Sequence, residues 1–351
     1  MKVAILIPTK NRPEFVERTI NYYDSLKSVH PIYIGDASSS DISARSVASL
    51  KRFNNVEVKY FHWEGMGANQ AIVKLAESSQ LACQYCAFHG DDDYFVPSSL
   101  SQCAKFLSKN TDYRTAQGRA AVFLLDRPGP FGKIRSVGDY WGINALEQES
   151  SVERFVSFEK KYFVTQFSTH RTDEFVQDSL HFMRMKDPLV SELLHCFTFA
   201  IKGKSKFLDC LYLIRNVHEG IYHPGFFDWI IQEHWASDYQ LMQHALILAL
   251  RETSDFSQNE AERVVSETLK IHLKRSVRTE GRCNKSGFTA KLRGALPSYL
   301  KNVIRHLINQ TRDASDMRLL RSKQSPFYDE FLPVSNSLTK VASPKGRSAL
   351  E

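Results

Sequence analysis

Residues 85–97 read Tyr85-Cys86-Ala87-Phe88-His89-Gly90-Asp91-Asp92-Asp93-Tyr94-Phe95-Val96-Pro97, and the reading of this stretch decides the fold. Tyr85–Phe88 is a short apolar run with the length of a buried strand. Three adjacent carboxylates follow it, just past the strand's C-terminal end, where open α/β sheets bind their ligands. Neighbouring like charges repel one another and resist burial. A hard divalent cation, Mn²⁺ or Mg²⁺, relieves that repulsion and also holds nucleotide phosphates. A solvated acidic turn explains the triplet equally well when it is taken alone.

Outward from this stretch, strand and helix signals alternate. Val3–Ile7 is a continuous apolar strand, and Pro13 opens a helix that buries Phe15, Val16, Thr19, Ile20, Tyr23 and Leu26 at helical spacing. Strands follow at 32–34 and 56–61, helices at 42–53, 68–77 and 98–107, and a further strand at 116–125. This alternation predicts an α/β fold, with a mostly parallel Rossmann-like sheet and helices on both faces. Residues 126–141, rich in Gly and Pro, read as an irregular loop. A helix at 188–201 and a strand at 207–214 close this part. From about Phe226 the pattern is helical throughout. The expected organisation is a domain over 1–225, a C-terminal α-helical appendage over 226–332, and a disordered Ser- and Lys-rich tail over 333–351.

Composition sets the class. The chain has 351 residues, 42% hydrophobic and 24% charged, as in a soluble globular protein. No apolar run approaches the roughly 18 residues that cross a bilayer. The first residues do not read as a signal peptide, so the expected compartment is the cytoplasm. Six cysteines show no disulfide spacing, and the lone Cys83-x-x-Cys86 lacks the second pair that a zinc site needs. Lys and Arg outnumber Asp and Glu by 46 to 39, with the excess concentrated between Lys270 and Lys323. In that segment Ser298–Gln310 forms a basic amphipathic stretch. It suits either packing on the catalytic domain or peripheral contact with the inner face of a membrane. Phe288 and Tyr299 are isolated there, so no stacking platform for nucleic acid is evident.

Four segments carry the chemistry. Pro8-Thr9-Lys10-Asn11-Arg12-Pro13 follows the first strand, and Gly35-Asp36-Ala37-Ser38 follows the second. Gly65-Met66-Gly67-Ala68-Asn69 opens a helix, and the acidic triplet follows the Tyr85 strand. All four lie at strand C-termini or helix N-termini, which the fold gathers along one edge. Thr9 and Arg12 can reach a base or phosphate, and Asp36 can accept from a uracil N–H or a ribose hydroxyl. Gly67 leaves the backbone N–H groups of a helix N-terminus open to an anion. The first turn carries neither GxGxxG nor a Walker-type loop, which argues against a dinucleotide dehydrogenase and a P-loop NTPase.

This set resembles the family-two glycosyltransferases of the GT-A fold. Their first strand ends in a phrase like IPTYNRP and their second in DDGS, and their metal motif is DxD, usually written FLDxDD. The resemblance covers Met1 to about His218. It implies that Pro8, Thr9, Arg12, Asp36, Gly67, Asn69, Asp91 and Asp92 bind the nucleotide. It implies metal ligands among Asp91, Asp92 and Asp93, with His218 in the position of a last ligand. Two departures stand out: Gly90 falls where the family has its first motif Asp, and Gly35 where it has the first Asp of DDGS. Downstream, Ser191-Glu192-Leu193-Leu194 looks like the family's ED-x-x-L helix, and Arg215-Asn216-Val217-His218 like its R-x-x-H. By that resemblance Glu192 is the catalytic base, with Asp187 and Asp238 as alternatives, and His170-Arg171 contacts acceptor or pyrophosphate.

The function implied is metal-dependent, inverting transfer of a sugar from a nucleoside diphosphate donor, UDP-linked, to a glycan or lipid-linked acceptor in surface polysaccharide synthesis. A sugar nucleotidyltransferase shares the sheet and the metal, but it wants a Gly-rich loop after the first strand, and IPTKNRP has no glycine before Pro13. A non-catalytic transferase-like binding protein is the other alternative, motivated by Gly35 and Gly90.

Overall fold

Strand register explains why the motifs meet. The computed structural model describes residues 1–140, 143–218, 230–284, 317 and 319–339. β1 (Val3–Thr9) pairs in parallel with β2 (Ile32–Asp36), Thr9 lying opposite Asp36. β2 pairs in parallel with β3 (Val58–His62), Asp36 lying opposite His62. On its other side β1 pairs in parallel with β4 (Tyr85–Phe88), Leu6 opposite Phe88. Thr9, Asp36 and the segment after Phe88 therefore lie along one edge, at the C-terminal ends of parallel strands.

Between these strands run α1 (Pro13–Ser25), α2 (Ser40–Leu50) and α3 (Ala68–Ser79). β5 (Tyr94–Phe95) and α4 (Pro97–Lys109) follow the acidic triplet. β6 (Tyr113–Leu125) and β7 (Ile134–Asp139) form an antiparallel hairpin. Residues 134–139, expected in an irregular loop, are thus a strand. The Pro- and Gly-rich residues before them are the hairpin's turn, where Lys133 N donates to Asp126 Oδ1. α5 (Ser151–Lys160), β8 (Thr169–Arg171), α6 (Thr172–Ser179), α7 (Pro188–Lys202) and β9 (Lys204–Val217) complete the α/β part. Among the described residues the sheet has nine strands in the order β3-β2-β1-β4-β8-β6-β9-β5, with β7 alongside β6.

The apolar core forms two clusters. One lies around the sheet and includes Ile5, Ile34, Phe88, Phe95 and Ile214. The other joins α5 and α7 to α8 (Trp235–Thr253) and α9 (Gln258–Asn284) through Phe155, Phe197, Leu246 and Leu269. A buried polar contact reinforces the second cluster: Glu159 lies 2.9 Å from His272 and 3.2 Å from the Arg275 guanidinium. The C-terminal helices therefore share a core with α5 and α7 across residue 225. The expected disordered tail begins instead inside α10 (Tyr328–Ser337), whose Phe331 and Val334, with Leu338 after it, are buried in the sheet cluster. Two long-range contacts tie this segment down, from Tyr94 Oη to Ser337 Oγ at 3.2 Å and from Gly132 N to Leu338 O at 3.2 Å. Residues 340–351 and the amphipathic stretch 298–310 lie outside the described residues. No helix among the described residues is long and apolar enough to cross a membrane.

Candidate active site at the ends of β1 and β4

The acidic loop is buried, and cations and hydroxyls hold it. Asp91, Asp92 and Asp93 are 3%, 7% and 2% exposed, which excludes a solvated turn. Asp91 accepts from Thr9 Oγ1 at 2.6 Å and pairs with Arg12 Nη1 at 2.7 Å. Asp92 Oδ2 takes the other arm of Arg12 at 3.0 Å and lies 2.5 Å from His218 Nε2. Asp93 accepts from Arg215 Nε at 2.9 Å and from Asn216 N at 3.0 Å. Strand pairing sets this last contact: β5 places Tyr94 opposite Ile214, so Asp93 meets the end of β9. Burial raises Asp91 to about 7, helped by the Asp92 charge and opposed by Arg12. Burial likewise raises Asp93 to about 6 against Arg215. Burial also works to raise Asp92, but His218 and Arg12 outweigh it and hold its carboxyl below the usual range.

Helix α1 supplies anchors that apolar periodicity did not find. Its buried face includes Arg18 and Tyr22, while Leu26, expected inside, is 38% exposed. Arg18 donates to the Asp92 carbonyl at 2.7 Å and Thr19 Oγ1 to the Asp91 carbonyl at 2.7 Å. Tyr23 Oη lies 2.8 Å from His89 Nε2, and the hydroxyl accepts from Phe95 N at 2.9 Å. Phe15, half-buried, carries the Arg12 guanidinium 3.9 Å over its ring and lies against His218.

The two glycine departures have a steric cause. A Cβ on Gly90 would stand 2.6 Å from Asp92 Oδ1, so the family's Asp there is incompatible with this Asp92 conformation. A Cβ on Gly35 would stand 3.0 Å from the Trp63 ring. Asp36 remains at the end of β2, 1% exposed, accepting from Ser38 N at 2.8 Å and from Tyr60 Oη. Pro8 is half-buried opposite Gly35. Gly67 caps α3 with extended backbone, and Asn69 donates to Ser191 Oγ at 2.7 Å, tying α3 to the start of α7.

Glu192 sits on α7, half-buried, in a different setting. Its two oxygens accept from Tyr162 Oη at 2.9 Å and from Gln166 Nε2 at 3.1 Å. Tyr140 packs on Arg215, the partner of Asp93. Its ring lies 4.9 Å from the Arg215 guanidinium, and its hydroxyl, raised first by burial, also feels the charges of Arg215, Glu192 and Asp93. The alternatives to Glu192 have structural roles. Asp187 is the N-cap of α7, accepting from Leu189 N and Val190 N, and the Asp187-Pro188 pair was its sequence signal. Asp238, 1% exposed, accepts from the backbone N–H groups of Lys186 and Asp187. The expected contacts of His170 and Arg171 are likewise corrected. His170 is a neutral core residue among Phe175, His195 and Phe199, lowered to about 3 by burial. Arg171 donates to the Leu107 and Asn110 carbonyls at the end of α4.

A divalent cation fits part of this donor set. Asp92 and His218 face each other as a carboxylate and an imidazole with residual exposure, an acceptable pair for Mn²⁺. Asp93 does not fit, because Arg215 and Asn216 already engage both its oxygens. Among the described residues no three His, Cys, Asp or Glu side chains form a complete cage. The other positions would fall to water and to a ligand's phosphates, as is common for ions that bind nucleotides.

Residues 4–171 match the model of glycosyl transferase family 2. Over that segment, just under half of its length, the chain carries the pattern of that family. Its fold is GT-A, and it is a glycosyltransferase. No curated protein matches it. The crystal structure of TarS residues 1–349 from S. aureus is similar at a TM-score of 0.51 and 15% identity, covering 96% of this chain and 89% of that one. The same TarS segment in complex with UDP-GlcNAc matches at 0.51 and 14%, and in complex with UDP at 0.52 and 14%, over the same shares. At such identities the likeness concerns the fold.

Proposed function

We propose that this glycosyltransferase moves a sugar from a nucleoside diphosphate donor, UDP-linked, to a hydroxyl of a glycan or lipid-linked acceptor, with inversion and with Mn²⁺ or Mg²⁺. The reading rests on one observation. Thr9, Arg12, Asp91, Asp92 and His218 converge at one sheet edge. The TarS complexes with UDP and UDP-GlcNAc favour uridine as the base.

In this reading Asp36 and Thr9 face the nucleoside, and Arg12 turns its fork from the carboxylates to the diphosphate. Asp92 and His218 would hold the cation, which would supply Lewis-acid stabilisation of the leaving diphosphate. Glu192, steadied by Tyr162 and Gln166, takes the proton of the acceptor hydroxyl as it attacks the anomeric carbon. A single displacement of this kind inverts that carbon. Action at the cytoplasmic face, in surface polysaccharide synthesis, belongs to the same proposal.

A panel of UDP- and GDP-sugars, incubated with the chain and Mn²⁺ or a chelator, tests it. Release of UDP from a UDP-sugar in the cation arm, with an inverted product by NMR, is the expected result. Absence of both nucleotide binding and turnover across the panel overturns it.

A further inference from the structure

Arg18 is a large, fully buried side chain, at 1% exposure. Among the described residues no carboxylate pairs with it. Its fork instead spans three separate segments. Nη2 donates to the Asp92 carbonyl at 2.7 Å, and Nη1 donates to Asn216 Oδ1 at 2.9 Å and to the Pro130 carbonyl at 2.8 Å. Phe15 and Tyr94 cover the guanidinium, at 4.9 and 5.3 Å from their ring centres. Burying a cation away from a carboxylate carries an uncompensated desolvation cost. Packing of α1 against the sheet could use an apolar residue at this point, so what the arginine adds is the set of acceptors that it gathers.

Those acceptors bound the donor site. Asp92 belongs to the acidic loop. Asn216 stands two residues before His218 and also holds Asp93 through its backbone N–H. Pro130 lies in the β6–β7 turn, which Leu338, just after α10, pins by accepting from Gly132 N. We propose that Arg18 is a positioning residue: it fixes the backbone of the acidic loop against the end of β9, so that the Asp92 carboxylate and the His218 imidazole are held facing each other before a donor arrives. Lysine keeps the charge but lacks the planar fork and reaches one acceptor in place of three. The inference rests on the nucleotide-sugar reading of the same site.

The experiment is calorimetric titration of UDP, with and without Mn²⁺, into the wild type, Arg18→Lys, Arg18→Met, Asn216→Ala and Tyr22→Phe, with thermal unfolding of each. Tyr22 lies one turn along α1 and donates to the Phe95 carbonyl, so Tyr22→Phe reports helix packing alone. Arg18→Lys and Arg18→Met are expected to weaken UDP binding about tenfold or more, the scale of one charge-assisted hydrogen bond. Asn216→Ala should weaken it less, and Tyr22→Phe should leave it unchanged while lowering the unfolding temperature. With a donor sugar, Arg18→Lys should raise KM and leave kcat nearly unaltered. If Arg18→Met fails to fold, Arg18→Lys and Asn216→Ala decide. Wild-type affinity in Arg18→Lys overturns the proposal, and so does an equal loss in Tyr22→Phe. A wild type that binds no UDP overturns the underlying reading instead.

Discussion

The acidic loop and helix α7 both carry carboxylates that the proposed reaction uses, and the chain surrounds them differently. Asp91, Asp92 and Asp93 are buried against Arg12, His218 and Arg215. Glu192 is half-exposed and held by a phenol and an amide, and among the described residues no cation pairs with it. Partner chemistry separates their uses. A carboxylate locked to guanidinium groups is set to exchange one cation for another, a side chain for a metal. A carboxylate held by neutral donors keeps its lone pairs aimed without a counter-charge, as a proton acceptor requires.

The sharpest way to break this contrast is to neutralise one acid on each side. Asp92→Asn removes the charge that faces both Arg12 and His218. UDP affinity in Mn²⁺ should fall about 10- to 100-fold, the worth of a charge-assisted contact. Glu192→Gln keeps the shape and the Tyr162 contact. It should leave UDP affinity intact and lower kcat by about 10²–10⁴, the usual contribution of general base catalysis. Calorimetry and initial rates separate the two outcomes. If Glu192→Gln keeps full turnover, or loses UDP binding as Asp92→Asn does, the two regions do not divide the labour.

Much of the contrast was legible in the chain. Apolar runs and the residues just past them gave β1, β2 and β4 and hence the edge where Thr9, Asp36 and Asp91 gather, because parallel register follows from alternating β and α signals. The support of that edge was not legible. Arg18 and Tyr22 interrupt the apolar stripe of α1, so periodicity assigned burial to Leu26 instead. β8 reads too short and too polar for a strand, which hid His170 and Arg171 inside the structure. Ser150-x-x-Glu153 signals the start of α5, and Ser150 Oγ does accept from Glu153 N, but weakly, at 3.5 Å. Nothing local in 328–338 announces a return to the sheet. Its apolar side chains find their partners on α1 and β5, more than 200 residues upstream, which only the tertiary fold brings near.

Acidity offers a second, milder test, confined to the loop side. Burial lifts Asp91 to about 7 and Asp93 to about 6, so the folded chain holds protons there that an unfolded chain, with carboxyls near 4, has released. Folding stability from these two groups therefore falls as pH rises from about 4 to 7. Donor binding moves oppositely, since the cation and the diphosphate grip need the ionised loop. UDP affinity should drop by up to about tenfold per pH unit below about 7, with one proton released on binding. Calorimetry in buffers of different ionisation enthalpy counts that proton. A flat affinity profile from pH 5 to 8 would mean that Asp91 does not feel the donor.

The smallest expected effects come from the two glycines, and they separate site from scaffold on the loop side itself. Ala at position 90 would bring its Cβ to 2.6 Å from Asp92 Oδ1, and the flexible carboxylate can move away. Gly90→Ala should thus cost little stability but turn Asp92 from His218, weakening UDP binding a few-fold. Ala at position 35 would meet the Trp63 ring at 3.0 Å, and the ring also lies against Phe61. Gly35→Ala should lower stability by about 1 kcal/mol, the low end of overpacking costs, with UDP affinity unchanged. The opposite pattern, stability lost at 90 and affinity lost at 35, would place the nucleotide against Trp63 and the second strand rather than at the acidic loop.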